Sequence, residues 1–325
     1  MAVYGNAYQW GGYPLPTAPI PRYNGRAWFV DGTNGLDGNS GRSPKNAFAS
    51  ITQAVYTNPD LQEGDVVYVF PKVLARTDSD PGSYAETFSI DTPQIALVGI
   101  GGGAMQGAIP QVKIGAGSTA MCTVNAPGVI IQGIGFNGAS STGGGILLHD
   151  DGGATSAAFG TIIRGCHFKN CKAHATQGTT GGAIYWSDHG GAWQILIEGN
   201  EFYKNVSDIV LRGGAAVIPQ DVTIRGNRFS GPSASVTSNI YTGSGGINGL
   251  YIYDNIFTAL PTLSTGDVNL FVSLTGSIGI LANNAFACTG KTFGVAGDNG
   301  GTVPATMLIV NNYQEDGATQ IARTS

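Results

Sequence analysis

Charge is what this sequence is shortest of: Asp, Glu, Lys and Arg make up 11% of its 325 residues, against about 25% in ordinary soluble domains. Its surface must therefore be built from Ser, Thr, Asn and Gly. A net charge of −5 and a pI near 5.3 leave no basic patch to neutralise phosphates, so nucleic acid is not an expected partner. No uncharged apolar run approaches the roughly 18 residues that span a bilayer, which speaks against a membrane role. The opening MAVYGNAYQWGGYPLP lacks a basic region followed by an apolar one, so the expectation is synthesis in the cytoplasm without a signal peptide. The cysteines Cys122, Cys166, Cys171 and Cys288 show no C-x-x-C spacing and read as buried thiols, with a Cys166–Cys171 bridge across one corner left open. His149, His167, His174 and His189 include no i, i+4 pair, which argues against a zinc helix.

What the chain does have is glycine, 51 residues, together with 42% hydrophobic residues. That hydrophobic content is too high for a disordered Gly-rich chain, and no three-residue period suggests collagen. The length exceeds the usual 100 to 200 residues of one domain, so two domains or one repetitive architecture must be present.

Repetition is the answer. Phe136, Phe168, Phe202, Phe229, Phe257, Phe286 and Tyr313 follow one another at separations of 32, 34, 27, 28, 29 and 27. Five residues before each stands Ile131, Ile163, Ile197, Ile224, Ile252, Leu281 or Leu308. Two before it stands Asn200, Asn227, Asn255, Asn284 or Asn311, with Ile134 and Cys166 in the first two frames. Three before it stands Gly133, Gly165, Gly199, Gly226, Asp254, Asn283 or Val310. Each frame opens with strand-type alternation and then reaches Gly or Asn, residues that accept positive φ at a corner.

A second strand follows at a looser interval, as in Gly145–Leu148, Ala183–Trp186, Asp208–Leu211, Asn269–Val272 and Thr292–Val295. Stacked coils of this kind predict an all-β, single-stranded right-handed parallel β-helix, a solenoid with like residues about 4.8 Å apart in ladders. An antiparallel sandwich or a propeller is the competing reading, but propeller blades run to about 40 residues with signatures that are not visible here.

These coils, over roughly residues 60 to 325, resemble the pectate-lyase-like superfamily and the bacteriophage tailspike β-helices. The order VDGTNG, a Pro-initiated helix and then GDVVYV is similar to the start of many such proteins. The expected organisation is an extended arm over 1–27, an N-terminal cap with a short helix over 28–60, and the β-helix over 61–325. In the cap, Ser43–Pro44 predicts a helix start, and Phe48, Ile51 and Val55 share one helical face. The arm carries Tyr4, Tyr8, Trp10, Tyr13 and Tyr23 among Pro14, Pro16, Pro19 and Pro21. Proline at alternate places favours polyproline-like chain that cannot make its own core, so the aromatics need a surface on this chain or on a partner.

Candidate chemistry is sparse. Aligning the second strands brings Asp150 and Asp188 to adjacent rungs, with Arg212 one column away. The pair would suit glycoside hydrolysis, and the three together imitate a lyase site. The Gly-His-Gly and Arg-x-Lys motifs of polygalacturonase-like enzymes are missing, and polar residues at solvated corners are the preferred reading, so no catalytic residues are expected. Asp31, Asn34, Asp37 and Asn39 offer closely spaced oxygens for Ca²⁺, but no terminal bidentate Glu, and an Asx and Gly turn is preferred; neither metal nor cofactor is expected. Tyr185, Trp186 and Trp193 would serve a glycan-binding adhesin if exposed, packing being preferred for the tryptophans.

The resemblance implies a non-enzymatic structural component of a tailed phage virion. It would be a head-decorating, cement-type or spike-type homotrimer attached through its arm to other virion proteins such as the major capsid protein. The alternative is a polysaccharide-degrading lyase or hydrolase, or a glycan-binding tailspike or adhesin.

Overall fold

A computed structural model describes residues 25–72, 82–101, 109–114, 120–138, 144–149, 158–171, 182–186, 193–211, 219–230, 238–243, 245–258, 271–287 and 301–314, with short strands at Gln9–Trp10, Tyr13–Pro14 and Gln320–Ile321. Three long sheets run side by side along the chain. The first holds ten strands, from Ala27–Val30 and Val66–Val69 through Ile162–Arg164, Leu196–Glu198 and Gln220–Arg225 to Met307–Val310. The second, also of ten, includes Gly135–Asn137, His167–Lys169, Glu201–Tyr203 and Arg228–Ser230. The third, of eight, includes Gly144–Leu148, Ile184–Trp186, Ile209–Val210 and Ile240–Tyr241.

From Val66 onward each coil visits the three sheets in turn, and every strand of these sheets pairs in parallel with its counterpart one coil on, except the closing antiparallel pair Asn312–Gln314 with Gln320–Ile321. The chain is a parallel β-helix. Each full coil carries three strands, within the expectation of at least two. Ile240–Tyr241 is a third-sheet strand that the sequence pattern did not reveal. The last third-sheet strand is Gly301–Thr302, whereas Thr292–Val295 lies outside the described residues. Among the described residues no helix is long and apolar enough to cross a membrane.

The interior is filled by files of identical side chains. Ile131, Ile163, Ile197, Ile224, Ile252 and Leu281 are in register from coil to coil, and all are buried. Phe136, Phe168, Phe202, Phe229, Phe257 and Phe286 stack with centroid separations of 5.2, 5.0, 4.8, 4.5 and 4.7 Å and planes within 11°. The strand repeat of about 4.8 Å forces this geometry: in parallel register each ring has an identical ring one rung away, inside the range of offset aromatic stacking. One apolar cluster runs continuously from Trp28 to Met307.

The corner between the first and second sheets explains the Gly-Asn signature. Gly133, Gly165, Gly199, Gly226, Asp254, Asn283 and Asn311 all have positive φ, between 48° and 65°. The following Asn turns inward. Asn200, Asn227, Asn255, Asn284 and Asn312 form a buried ladder in which each Oδ1 accepts the backbone N–H of the residue one coil earlier, and each Nδ2 donates to a carbonyl of an earlier strand. Cys166 stands at the head of the ladder, and its Sγ donates to Ile131 O as the asparagine amides do to Ile163, Ile197 and Ile224.

The last coil corrects the sequence frame by one residue. Phe286 pairs with Gln314 and Leu281 with Ile309, so Tyr313, Leu308 and Asn311 are not the members of the aromatic, aliphatic and ladder columns. Asn312 is the ladder residue, and Leu308 and Tyr313 are exposed. The reason is the corner: a β-branched Val310 cannot take positive φ, whereas Asn311 can.

The N-terminal cap also differs. Ser43 caps a single 3₁₀ turn, Pro44–Asn46, and a second helical segment, Gln53–Thr57, is of π type. Between them Phe48 bridges Val30, its N–H donating to Phe29 O, so the backbone is committed to the first sheet and one continuous helix cannot form. Asp37 accepts from the amides of Ala49 and Ser50, and Glu86 from those of Ile51 and Thr52, which restarts the helix there. Phe48, Ile51 and Val55 are nevertheless all buried in the main core. In the arm, Gln9–Trp10 pairs antiparallel with Tyr13–Pro14. Tyr4, Tyr8 and Tyr23 lie outside the described residues.

Candidate functional site

Asp150, Asp188 and Arg212 all lie outside the described residues. The strands leading to the two acids are in register, Leu148 opposite Trp186. Tyr185 and Trp186 are almost completely buried, which removes them from any exposed glycan platform and leaves Trp193. Cys122, Cys166 and Cys171 are free and buried, so the Cys166–Cys171 bridge is not formed; burial pushes the Cys166 thiol up to about 12. Cys288 is outside the described residues.

The oxygen-rich loop is an Asx turn. Asp31 Oδ1 accepts from the amides of Thr33 and Asn34, and Oδ2 from Asn34 Nδ2. Asp37 turns to Ala49 and Ser50, and Asn39 donates to Ala47 O. Asp31 and Asn34 thus close one turn on themselves, while Asp37 and Asn39 reach the 47–50 stretch. Among the described residues no group of three or more His, Cys, Asp or Glu converges on one point.

A different place on the surface has the geometry of a site. At the corner that leads into the first sheet, Gly128, Gly160, Gln194, Asp221 and Gly249 have φ between 56° and 77°. The corners stack one per coil: Gly128 N–H donates to Phe159 O at 2.9 Å, Gly160 N–H to Trp193 O at 2.8 Å and Gln194 N–H to Gln220 O at 3.0 Å. The residue before each corner therefore falls into an outward file, Pro127, Phe159, Trp193, Gln220 and Asn248, the last two in direct register.

Phe159 and Trp193 are 41% and 46% exposed. With Gln194, Gln220 and Asp221 they line an open cleft of about 340 Å³. Gly249 keeps the space beside Asp221 clear, since a Cβ there would come within 2.9 Å of Asp221 Oδ1. Of this set sequence reasoning singled out only Trp193. The signal was present, because each member of the file stands nine residues before its coil's Phe.

The strands that start at this cleft carry an outward ladder of paired charge. Glu198 Oε2 accepts from Arg225 at 2.6 and 2.8 Å, and Arg225 also donates to Tyr253 OH at 3.2 Å. Arg164 donates to Gln132 at 2.8 Å and lies 3.9 Å from Glu198. These guanidinium groups are engaged with neighbours on the sheet.

Asp208 and His167, away from this cleft, are buried and titratable. Asp208 accepts from Asn205 Nδ2 at 2.8 Å and Asn239 Nδ2 at 2.6 Å, and burial raises its carboxyl to about 7 despite those bonds. His167 sits opposite Glu201 on the next rung, with His167 Nε2 and Glu201 Oε2 both buried and unpartnered. Burial, with Lys169 nearby, lowers the imidazole to about 4.

No protein-family model matches this chain, and no curated protein matches it either. Among solved structures it is similar to a GH136 lacto-N-biosidase from Eubacterium ramulus. The selenomethionine derivative aligns at 12% identity and TM-score 0.36 over 89% of this chain and 67% of that one. The native protein aligns at 13% identity and TM-score 0.36 over 88% and 68%. A likeness of this size carries no statement about activity here. The class that fold and surface define is a parallel β-helix protein with an aromatic-lined cleft at its coil corners.

Proposed function

We propose that the chain is a carbohydrate-binding parallel β-helix, with the cleft at Phe159, Trp193, Gln194, Gln220 and Asp221 as its glycan site. The supporting observation is the pair of large, nearly half-exposed aromatic rings on adjacent coils beside two amides and a carboxylate. Sugar rings present apolar C–H faces that lie on aromatic plates, and hydroxyl rims that need both donors and acceptors. An aromatic floor with a few convergent polar groups supplies both. The test is binding of the full chain to a glycan array, repeated with Trp193→Ala after circular dichroism has established that the variant folds. Binding by the parent that drops at least tenfold in the variant supports the reading; equal binding by the two, or none by the parent, defeats it. Binding rests on the side chains of the cleft alone, whereas a lyase or hydrolase would need Asp150, Asp188 and Arg212, which lie outside the described residues.

A second reading, an assembly component that associates as a homotrimer, is favoured by the apolar residues left exposed on the last coils: Tyr251, Ile256, Ile278, Leu308 and Tyr313. Such side chains in water favour contact with another apolar surface. Mass measurement by light scattering tests it, a monomer at micromolar concentration being the adverse result. A role in a virion would further require that removal of residues 1–27 abolish incorporation into the particle.

A further inference from the structure

The cleft is the central part of a longer file. Pro127, Phe159, Trp193, Gln220 and Asn248 occupy the same position on five successive coils. They change in character along the axis, three rings followed by two amides. Four rung spacings of about 4.8 Å give a length near 19 Å, and each spacing is comparable with one pyranose unit of a linear chain. We infer, on the carbohydrate-binding reading above, that this file takes a linear, uncharged oligosaccharide lying parallel to the solenoid axis, its sugar faces on the ring-bearing end and its hydroxyls on Gln220 and Asn248.

Charge decides against an acidic glycan. Asp221 stands in the cleft, exposed. The arginines of the adjoining strands, Arg164 and Arg225, are drawn to Glu198, Gln132 and Tyr253. A uronic acid on the file would face a carboxylate while Arg164 and Arg225, the arginines of the adjoining described strands, are engaged elsewhere, and like charges at contact range in partly aqueous surroundings cost about tenfold or more in affinity. A neutral sugar instead meets Asp221 as a hydroxyl-binding acceptor. The amides of Gln194 and Gln220 both donate and accept, which suits hydroxyls. Gly249, the next corner along, leaves Asp221 free of a covering side chain.

Calorimetric titration of the full chain tests this, using uncharged linear gluco-, manno- and galacto-oligosaccharides of two to seven units and oligogalacturonates of the same lengths, at low salt. The expected result has three parts: affinity for an uncharged series climbs to about five units and then levels; uronates of equal length bind at least tenfold more weakly; and Asp221→Asn narrows that gap. Asn accepts the positive φ of Asp221, so the variant keeps the corner. Uronates that bind as well as neutral sugars, or a gap unchanged in Asp221→Asn, overturn the charge assignment and leave the carbohydrate reading standing. Affinity independent of length beyond two units overturns the axial track. Absence of binding to every sugar removes both the inference and the reading beneath it.

Discussion

Replacing Asn227 by alanine tests the buried amide ladder most directly. Its Oδ1 accepts from Asn200 N–H at 2.9 Å and Asn200 Nδ2 at 3.0 Å, while its Nδ2 donates to Ile197 O and Asn255 Oδ1, both at 3.0 Å. Alanine deletes all four bonds at a site that is 1% exposed. It strands the Asn200 backbone N–H, whose acceptor disappears, and takes a donor from the Ile197 carbonyl. A buried unsatisfied polar group costs about 1–3 kcal/mol, so with two groups affected the loss should be about 2–6 kcal/mol. Asn227→Asp should be at least as damaging, because it keeps the acceptor but sets oxygen against the oxygens of Ile197 and Asn255 and buries a carboxyl.

The position of Cys166 shows what the ladder demands of its first member. The Ile131 carbonyl lies 3.6 Å from the thiol, and no asparagine precedes it at Ile134 to be served. The assay is urea unfolding, with exposed Asn248→Ala as the control expected within about 0.5 kcal/mol of the parent. Amide hydrogen exchange at Asn200 should accelerate in the same variant. A loss below about 1 kcal/mol, together with unchanged protection of that amide, would refute the ladder as a stabilising element.

Three further outcomes follow. Phe229→Ala opens a cavity between rings 4.8 and 4.5 Å away and should cost about 3–5 kcal/mol, read as a shift in the urea midpoint; a change under 1 kcal/mol would mean that the file is not close-packed. Gly226→Val places a β-branched residue at φ 60° and should cost about 1–2 kcal/mol or more, whereas Asn283→Gly at an equivalent corner should be near neutral, again by urea unfolding.

The third concerns pH. Asp208, at about 7 in the fold against 3.8 ordinarily, contributes stability that is full below pH 4 and lost as pH rises through 7. His167, at about 4 against 6.5, contributes stability that is full above pH 6.5 and lost as pH falls through 4. Between about pH 4 and 6.5 the two slopes oppose each other. Relative to the parent, Asp208→Asn should then gain stability with rising pH across that window, and His167→Gln should lose it. Parallel profiles for all three proteins would exclude both assignments.

The columns of Ile, Phe and Asn were legible because each is produced by chain-local rules that repeat every coil. Three-residue strands alternate in and out, the corner needs a residue tolerant of positive φ, and the next residue must satisfy stranded backbone. The final coil departs from the aromatic spacing because its corner falls one residue later: Val310 cannot occupy the position that Asn311 takes. The third-sheet strand Ile240–Tyr241 is hidden in the sequence because Asn239 and Thr242 flank it, so it lacks the consecutive aliphatics that mark Ile209–Leu211. The expected cap helix failed because Phe48 could satisfy its backbone against Phe29, a partner that helical periodicity does not take into account.

The sequence by itself thus determined the solenoid, its files and most of its register, since near-neighbour geometry recurs in the chain as a period. Only the tertiary structure decided which side chains meet the solvent. Tyr185 and Trp186 are covered while Phe159 and Trp193 are bare, and whether Pro127, Phe159, Trp193, Gln220 and Asn248 line up depends on how about thirty intervening residues return the chain to the same corner. Exposure and alignment are properties of stacked coils, set by contacts between residues distant in the chain, and no local pattern carries them.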